Sequence, residues 1–279
     1  MIMKIQYYLA VFGCFFMFSC NNEKEEPNTR SDVKKEVATT SEICFPCTNI
    51  EAAADAYDYP LKAGTVEYGN TAPNERWLLN QVPEVTLKSM STMGLIQSLL
   101  TFPGNHEWVF SNDIYGGFIY RTQNITICPE LFSRSNAASK LLEVYKVFDQ
   151  DCDLFFNAVL FIELLFAQPE IYTKLTDNEI IELFETAFDK TAYLEKITEP
   201  EETTGWYEPS KYLFFARIMN YVGYEPFVQR VFVDESLQHF LETESDGDFL
   251  VTPSYFEGGY VKCRDFITSC AKDFVNKNK

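Results

Sequence analysis

Apolar side chains in the second half of the chain recur every three or four residues over long stretches. Ile180, Leu183, Phe184, Ala187 and Phe188 form one such stripe, the spacing of a single helix face. It follows Thr176-Asp177-Asn178-Glu179, where Thr176 can cap the first turn while Glu179 reaches back to it. Leu141, Tyr145 and Phe148 make a second stripe, and Phe256, Tyr260, Cys263, Ile267, Cys270 and Phe274 a third. Residues 154–166 are apolar on every side except at Asn157 and Glu163, which predicts a helix at the centre of the fold. Pro83, Pro103, Pro129, Pro169, Pro209, Pro226 and Pro253 mark boundaries between such segments. Weak alternation over 119–127 is the nearest approach to a strand. The pattern predicts an all-α fold of eight to ten helices, packed as an irregular bundle or a solenoid-like array.

The first twenty residues follow a different pattern. Lys4 precedes an apolar run over 5–18, interrupted by Gln6, Gly13 and Cys14. That run is shorter than the roughly 20 residues a spanning helix needs and matches an export signal. Phe16-Met17-Phe18-Ser19-Cys20 resembles a loose lipobox, with small Ser19 before the cysteine whose thiol would take the lipid. Val11-Phe12-Gly13-Cys14 competes, but cleavage there leaves a short apolar run and exposes Phe15–Phe18. Residues 1–19 therefore read as a signal peptide, 20–55 as lipidated Cys20 with a flexible acidic linker, and 56–279 as the helical domain. A mature lipoprotein carries two or three acyl chains, enough for stable attachment to the membrane. Lys24-Glu25-Glu26, just behind Cys20, resembles an acidic signal for surface display.

Charge narrows the partners. Removing residues 1–19 takes away only Lys4 and leaves 22 basic against 41 acidic side chains, a formal −19. Such a field repels phosphate backbones, so no nucleic acid is expected. Cationic partners, divalent metals and neutral glycans stay open. With 46 % hydrophobic residues, including 25 Phe and 16 Tyr, the material for a sizeable core is present.

Tyr57-Asp58-Tyr59-Pro60-Leu61-Lys62-Ala63-Gly64-Thr65-Val66-Glu67-Tyr68 resembles the YPxKPGTxEW opening of a set of uncharacterised secreted lipoproteins of Bacteroidota-type bacteria. Ala63 stands where that pattern favours Pro, and Tyr68 where it favours Trp. The segment Val82-Pro83-Glu84, with Leu87–Thr92 and Gly94–Gln97, is similar to their next helix, and Lys140–Tyr145 extends the likeness across residues 57–150. The resemblance implies a helical, exported protein and supplies no catalytic residue.

Candidate chemistry is sparse. Cys44-Phe45-Pro46-Cys47 is a CxxC pair, a candidate local disulfide or redox pair. It lacks a strand–helix–strand setting, and no second CxxC or paired His completes a zinc site. Six cysteines remain after Cys14 and Cys20 are set aside. Cys263 and Cys270, separated by about 10.5 Å of helical rise, are too far apart to bridge and read as core. His106-Glu107-Trp108 follows Pro103-Gly104-Asn105 and forms a loop where a ligand could be met; His239, on the helical stretch Ser236-Leu237-Gln238-His239-Phe240, reads as a residue at the boundary of the core. Asp151 and Asp153 suit a helix N-terminus. The acidic run 242–248 lacks EF-hand spacing. Glu163, a carboxylate inside an apolar helix, needs a partner or a raised pKa. No metal and no cofactor is implied. The leading expectation is a non-enzymatic envelope lipoprotein that binds another protein or a glycan. The alternative is a carboxylate-dependent hydrolase with Glu163 as acid.

Overall fold

Residues 159–168 are buried without exception, as a segment apolar on all sides requires. They end a helix at the centre of the structure, a computed structural model that describes residues 48–104, 114–148, 155–197, 208–242 and 259–279. Residues 42–279 group into one unit by their contacts. In chain order the helices are α1 (Val66–Asn70), α2 (Pro73–Leu79), α3 (Glu84–Ser89), α4 (Thr92–Leu100), α5 (Ile114–Asn124), α6 (Ile127–Ser133) and α7 (Ala137–Val147). They continue with α8 (Phe155–Phe166), α9 (Pro169–Tyr172), α10 (Asp177–Ile197), α11 (Glu208–Tyr221), α12 (Glu225–Val233), α13 (Glu235–Glu242) and α14 (Gly259–Asn278). Among the described residues there is no strand, so the all-α expectation holds. Nine of these helices reach eight residues and five are shorter. The eight to ten expected correspond to the longer set. Helices of four to seven residues show too few positions to develop a stripe. Of the weakly alternating stretch over 119–127, residues 119–124 belong to α5 and Ile127 begins α6, with a two-residue connection between them. No described helix is long and apolar enough to cross a membrane.

Two helices act as hubs. α8 packs on α5, α7, α9 and α11, and α11 packs on α8, α10, α12, α13 and α14. A solenoid confines each unit to its sequence neighbours; hubs of this kind make an irregular bundle. The sequence stripes supply the contacts. Leu141 and Tyr145 of α7, Ile180, Leu183, Phe184 and Ala187 of α10, and Cys263, Ile267, Cys270 and Phe274 of α14 are all buried in one core. The Thr176–Glu179 capping box forms reciprocally: the Thr176 N–H and hydroxyl donate to Glu179 Oε2 at 2.9 and 2.8 Å, and the Glu179 N–H donates to Thr176 Oγ1 at 3.3 Å.

The stretch before the helices is tied down before residue 56. The Ala53 N–H donates to Gln97 Oε1 at 2.8 Å, and Gln97 Nε2 donates to the Glu51 carbonyl at 3.1 Å. The Asp55 carboxylate accepts from the Ser91 N–H and, at 2.9 Å, from the Ser91 hydroxyl. Gly94 makes room for this. A Cβ at that position would overlap the carboxylate, with Asp55 Cγ only 2.9 Å away. Gly94→Ala is therefore expected to cost about 1 kcal/mol, the lost hydrogen bonds to a charged group outweighing the better helix propensity of alanine. In an Asp55→Ala background the same substitution should be neutral or stabilising. A double-mutant cycle by denaturant unfolding reads the difference, and equal costs in both backgrounds would refute the account.

Candidate functional site

Glu163 brings four helices together. It is 0 % exposed, because a helix buried on every side leaves no wet face for it. Its Oε1 accepts from the Tyr145 hydroxyl of α7 at 2.7 Å, and its Oε2 accepts from the Ser210 hydroxyl at the start of α11. Lys190 of α10, also buried, donates to the Phe148 carbonyl at 3.2 Å. Its ammonium lies 5.3 Å from the centre of the Tyr145 ring and feels the charge of Glu163. The neighbouring Lys211 donates to Thr191 Oγ1 at 3.2 Å. A buried charge is tolerated only when it is compensated in this way. The cluster joins α7, α8 and α11 through two hydroxyl donors to one carboxylate, and α10 through the charge of the Lys190 ammonium.

Lys190 records the cost of that burial. Desolvation pulls its pKa down to about 8, against the opposing influence of Glu163 and Asp189. In the unfolded chain a lysine holds its proton to about pH 10.5. Between these values the unfolded state binds the extra proton, so the contribution of this group to stability rises with pH. The gain is on the order of 1–3 kcal/mol. The stability difference between the wild type and Lys190→Met, measured by urea unfolding, should move in favour of the wild type as pH rises from 8 to 10.5. A difference that stays flat would show that Lys190 titrates alike in the folded and unfolded chain, and would refute the desolvation account.

The open site lies elsewhere, beyond the C-terminal end of α8. A cleft of about 750 Å³ is walled by one face of α5, by Gln168 and α9, by the second half of α11, and by Val231, Gln238 and Leu241 of α12 and α13. On α5, Gly116, Ile119, Tyr120 and Gln123 face it at helical spacing. Arg217 lies at its floor, 9 % exposed. Its Nη1 donates to the Tyr115 hydroxyl at 2.7 Å and to the Ala167 carbonyl at 3.0 Å, and its Nε donates to the Leu241 carbonyl at 3.2 Å. The guanidinium also sits 5.0 Å from the centre of the Tyr115 ring. It thereby locks α5, the end of α8 and α13 around the cleft. Tyr172 stands at the wall with Tyr221 behind it, ring centroids 5.3 Å apart. Burial pushes the Tyr172 phenol up, while Arg217 pulls it the other way.

Of the residues singled out in the sequence, Glu163 alone enters this description. Cys20, Cys44, Cys47, His106, Glu107 and Trp108 lie outside the described residues, as do Asp151 and Asp153. His239 is exposed on α13. Cys128, Cys263 and Cys270 are buried free thiols, so the reading of Cys263 and Cys270 as core residues holds. Among the described residues no three metal-ligating side chains converge. Arg217 was missed, although its signal equals that of Glu163: one charge inside the run 213–219, otherwise wholly apolar. Tyr115, Tyr120, Tyr172 and the amides carry no sequence signal, because four separate elements contribute them.

The chain matches no family model, no curated protein and no solved structure.

Proposed function

We propose that this chain is an exported protein, held at the cell envelope by lipid on Cys20 and facing outward, that acts by binding a ligand in the Arg217 cleft. The lipobox-like Phe16–Cys20 segment, the acidic Lys24-Glu25-Glu26 step and the resemblance over residues 57–150 support the address. The observation that carries the binding reading is a contrast between two sites. The cleft is open, concave and of ligand size, within the roughly 300–1,000 Å³ of small-molecule sites. The Glu163 cluster is closed, and two hydroxyl donors already engage the carboxylate. A general acid needs to reach its substrate directly or through one water, which a sealed carboxylate does not. The hydrolase alternative loses its main candidate on that ground.

Three measurements test the reading. Labelled fatty acid should enter the wild type and be absent from Cys20→Ser; label persisting in that variant would overturn the anchor. Hydrogen exchange of the full chain, with and without fractionated envelope glycans and proteins, should show protection over residues 114–124, 169–172 and 217–221. Turnover of an envelope component that disappears in a folded Glu163→Gln variant would overturn the binding reading in favour of hydrolysis.

A further inference from the structure

We infer that the occupant of the Arg217 cleft is a neutral glycan segment, whose sugar rings stack on Tyr120 and Tyr172 while side-chain amides read the hydroxyl rim. The inference rests on the cleft being the binding site and adds the chemistry of its ligand.

Charge removes two classes first. The chain carries a formal −18, a field that disfavours anionic ligands at a distance. A cationic ligand would arrive easily and then meet Arg217 at the floor, while Glu170 is the single carboxylate among the described lining residues. Among the described residues, one guanidinium and one carboxylate leave the lining close to neutral within a strongly acidic protein. Ligand charge therefore gains nothing there.

The remaining lining is what an uncharged polyol would use. A pyranose has apolar C–H faces and a rim of hydroxyls, each able to donate and to accept. Tyr120 is 70 % exposed and offers its ring at the mouth. Tyr172, backed by Tyr221 at a tilt of 52°, offers a second ring held in place. Tyrosine presents an apolar face with a polar tip, which suits a ligand of this mixed kind. Gln123 and Asn220 are exposed at the rim. A primary amide supplies an acceptor oxygen and two donor hydrogens on one planar group, matching neighbouring hydroxyls. Gln168 adds a third amide, oriented by its own bond to the Leu164 carbonyl at 2.8 Å.

A protein partner fits less well. Protein interfaces of standard size bury about 800 Å² per partner around an apolar centre, and this lining is a concave mixture of phenols and amides. A peptide threading the cleft would need apolar side-chain pockets, and among the described residues the aliphatic lining is limited to Ile119, Pro169, Val231 and Leu241.

The test uses the full chain in a non-sugar detergent, probed with an array of neutral and anionic oligosaccharides and with a peptide library. Calorimetry of the hits and hydrogen exchange over α5 and α9 follow. A neutral oligosaccharide should bind one to one and protect both helices. Tyr120→Ala and Tyr172→Ala should each weaken it about tenfold, the size of one aromatic contact, while Tyr172→Phe should stay near wild type. Because Tyr120 is so exposed, its replacement leaves the core intact, and a loss of binding there cannot be blamed on unfolding. Saturable binding of a peptide or an anionic glycan alone, with protection of the same helices, would overturn the glycan inference and leave the cleft reading standing. No saturable binding of any probe, or binding untouched by both tyrosine variants, would overturn both.

Discussion

Glu163→Ala is expected to lower the unfolding free energy by about 3–5 kcal/mol, the cost of removing one partner from a buried charged cluster. The Tyr145 and Ser210 hydroxyls would lose the acceptor that both use. Lys190 would lose the charge that partly offsets its own desolvation. A cavity on a helix packed on all sides adds to the loss. Glu163→Gln keeps the shape and one acceptor oxygen, so it should cost only about 1–3 kcal/mol. Urea unfolding at neutral pH measures both. If Glu163→Ala fell within the scatter of ordinary surface changes, about 0.5 kcal/mol, the carboxylate would be spectator to the packing.

Phe184→Ala should be as damaging for a different reason. Phe184 lies 4.6 Å from Phe215, 5.6 Å from Phe274 and 6.1 Å from Phe214, measured between ring centroids. It is the point where α10, α11 and α14 meet through aromatic edges. Truncating a fully buried phenylalanine costs about 3–5 kcal/mol, and the neighbouring rings are too constrained to collapse into the space. Phe188, one turn on and only half-buried, contacts Phe215 at 5.1 Å and should cost clearly less when truncated. Equal midpoint shifts for the two variants would contradict this placement of the core.

Helix identity was legible wherever a stripe ran long enough. α7, α10 and α14 follow from spacing, and α8 from the absence of any polar face. The Thr176–Glu179 box was legible because its donors and acceptors lie within four residues. What sequence could not carry was convergence. Glu163 was marked as a buried carboxylate needing a partner, but Tyr145, Lys190 and Ser210 come from three other helices. The cleft is a stronger case, since its tyrosines and amides are unremarkable one at a time. Only Arg217 could have been flagged, by the same reasoning applied to Glu163. The short helices α3 and α9 lean on tertiary contacts, such as Arg134 Nη2 donating to the Leu87 carbonyl at 3.2 Å and the burial of Ile171, and not on local periodicity.

The three buried thiols have a consequence of their own. Burial pushes Cys263 up to about 12, Cys270 up to about 11, and Cys128 higher still, so in the native state none offers the thiolate that oxidants and disulfides attack. At the proposed address outside the cytoplasm, where thiols oxidise, the packing of the bundle would be what keeps these thiols reduced. Opening it exposes all three at once, and an unfolded chain would cross-link to its neighbours before it could close again. Under that proposal its durability would be a matter of how slowly it opens, not of how far the equilibrium lies toward the folded state.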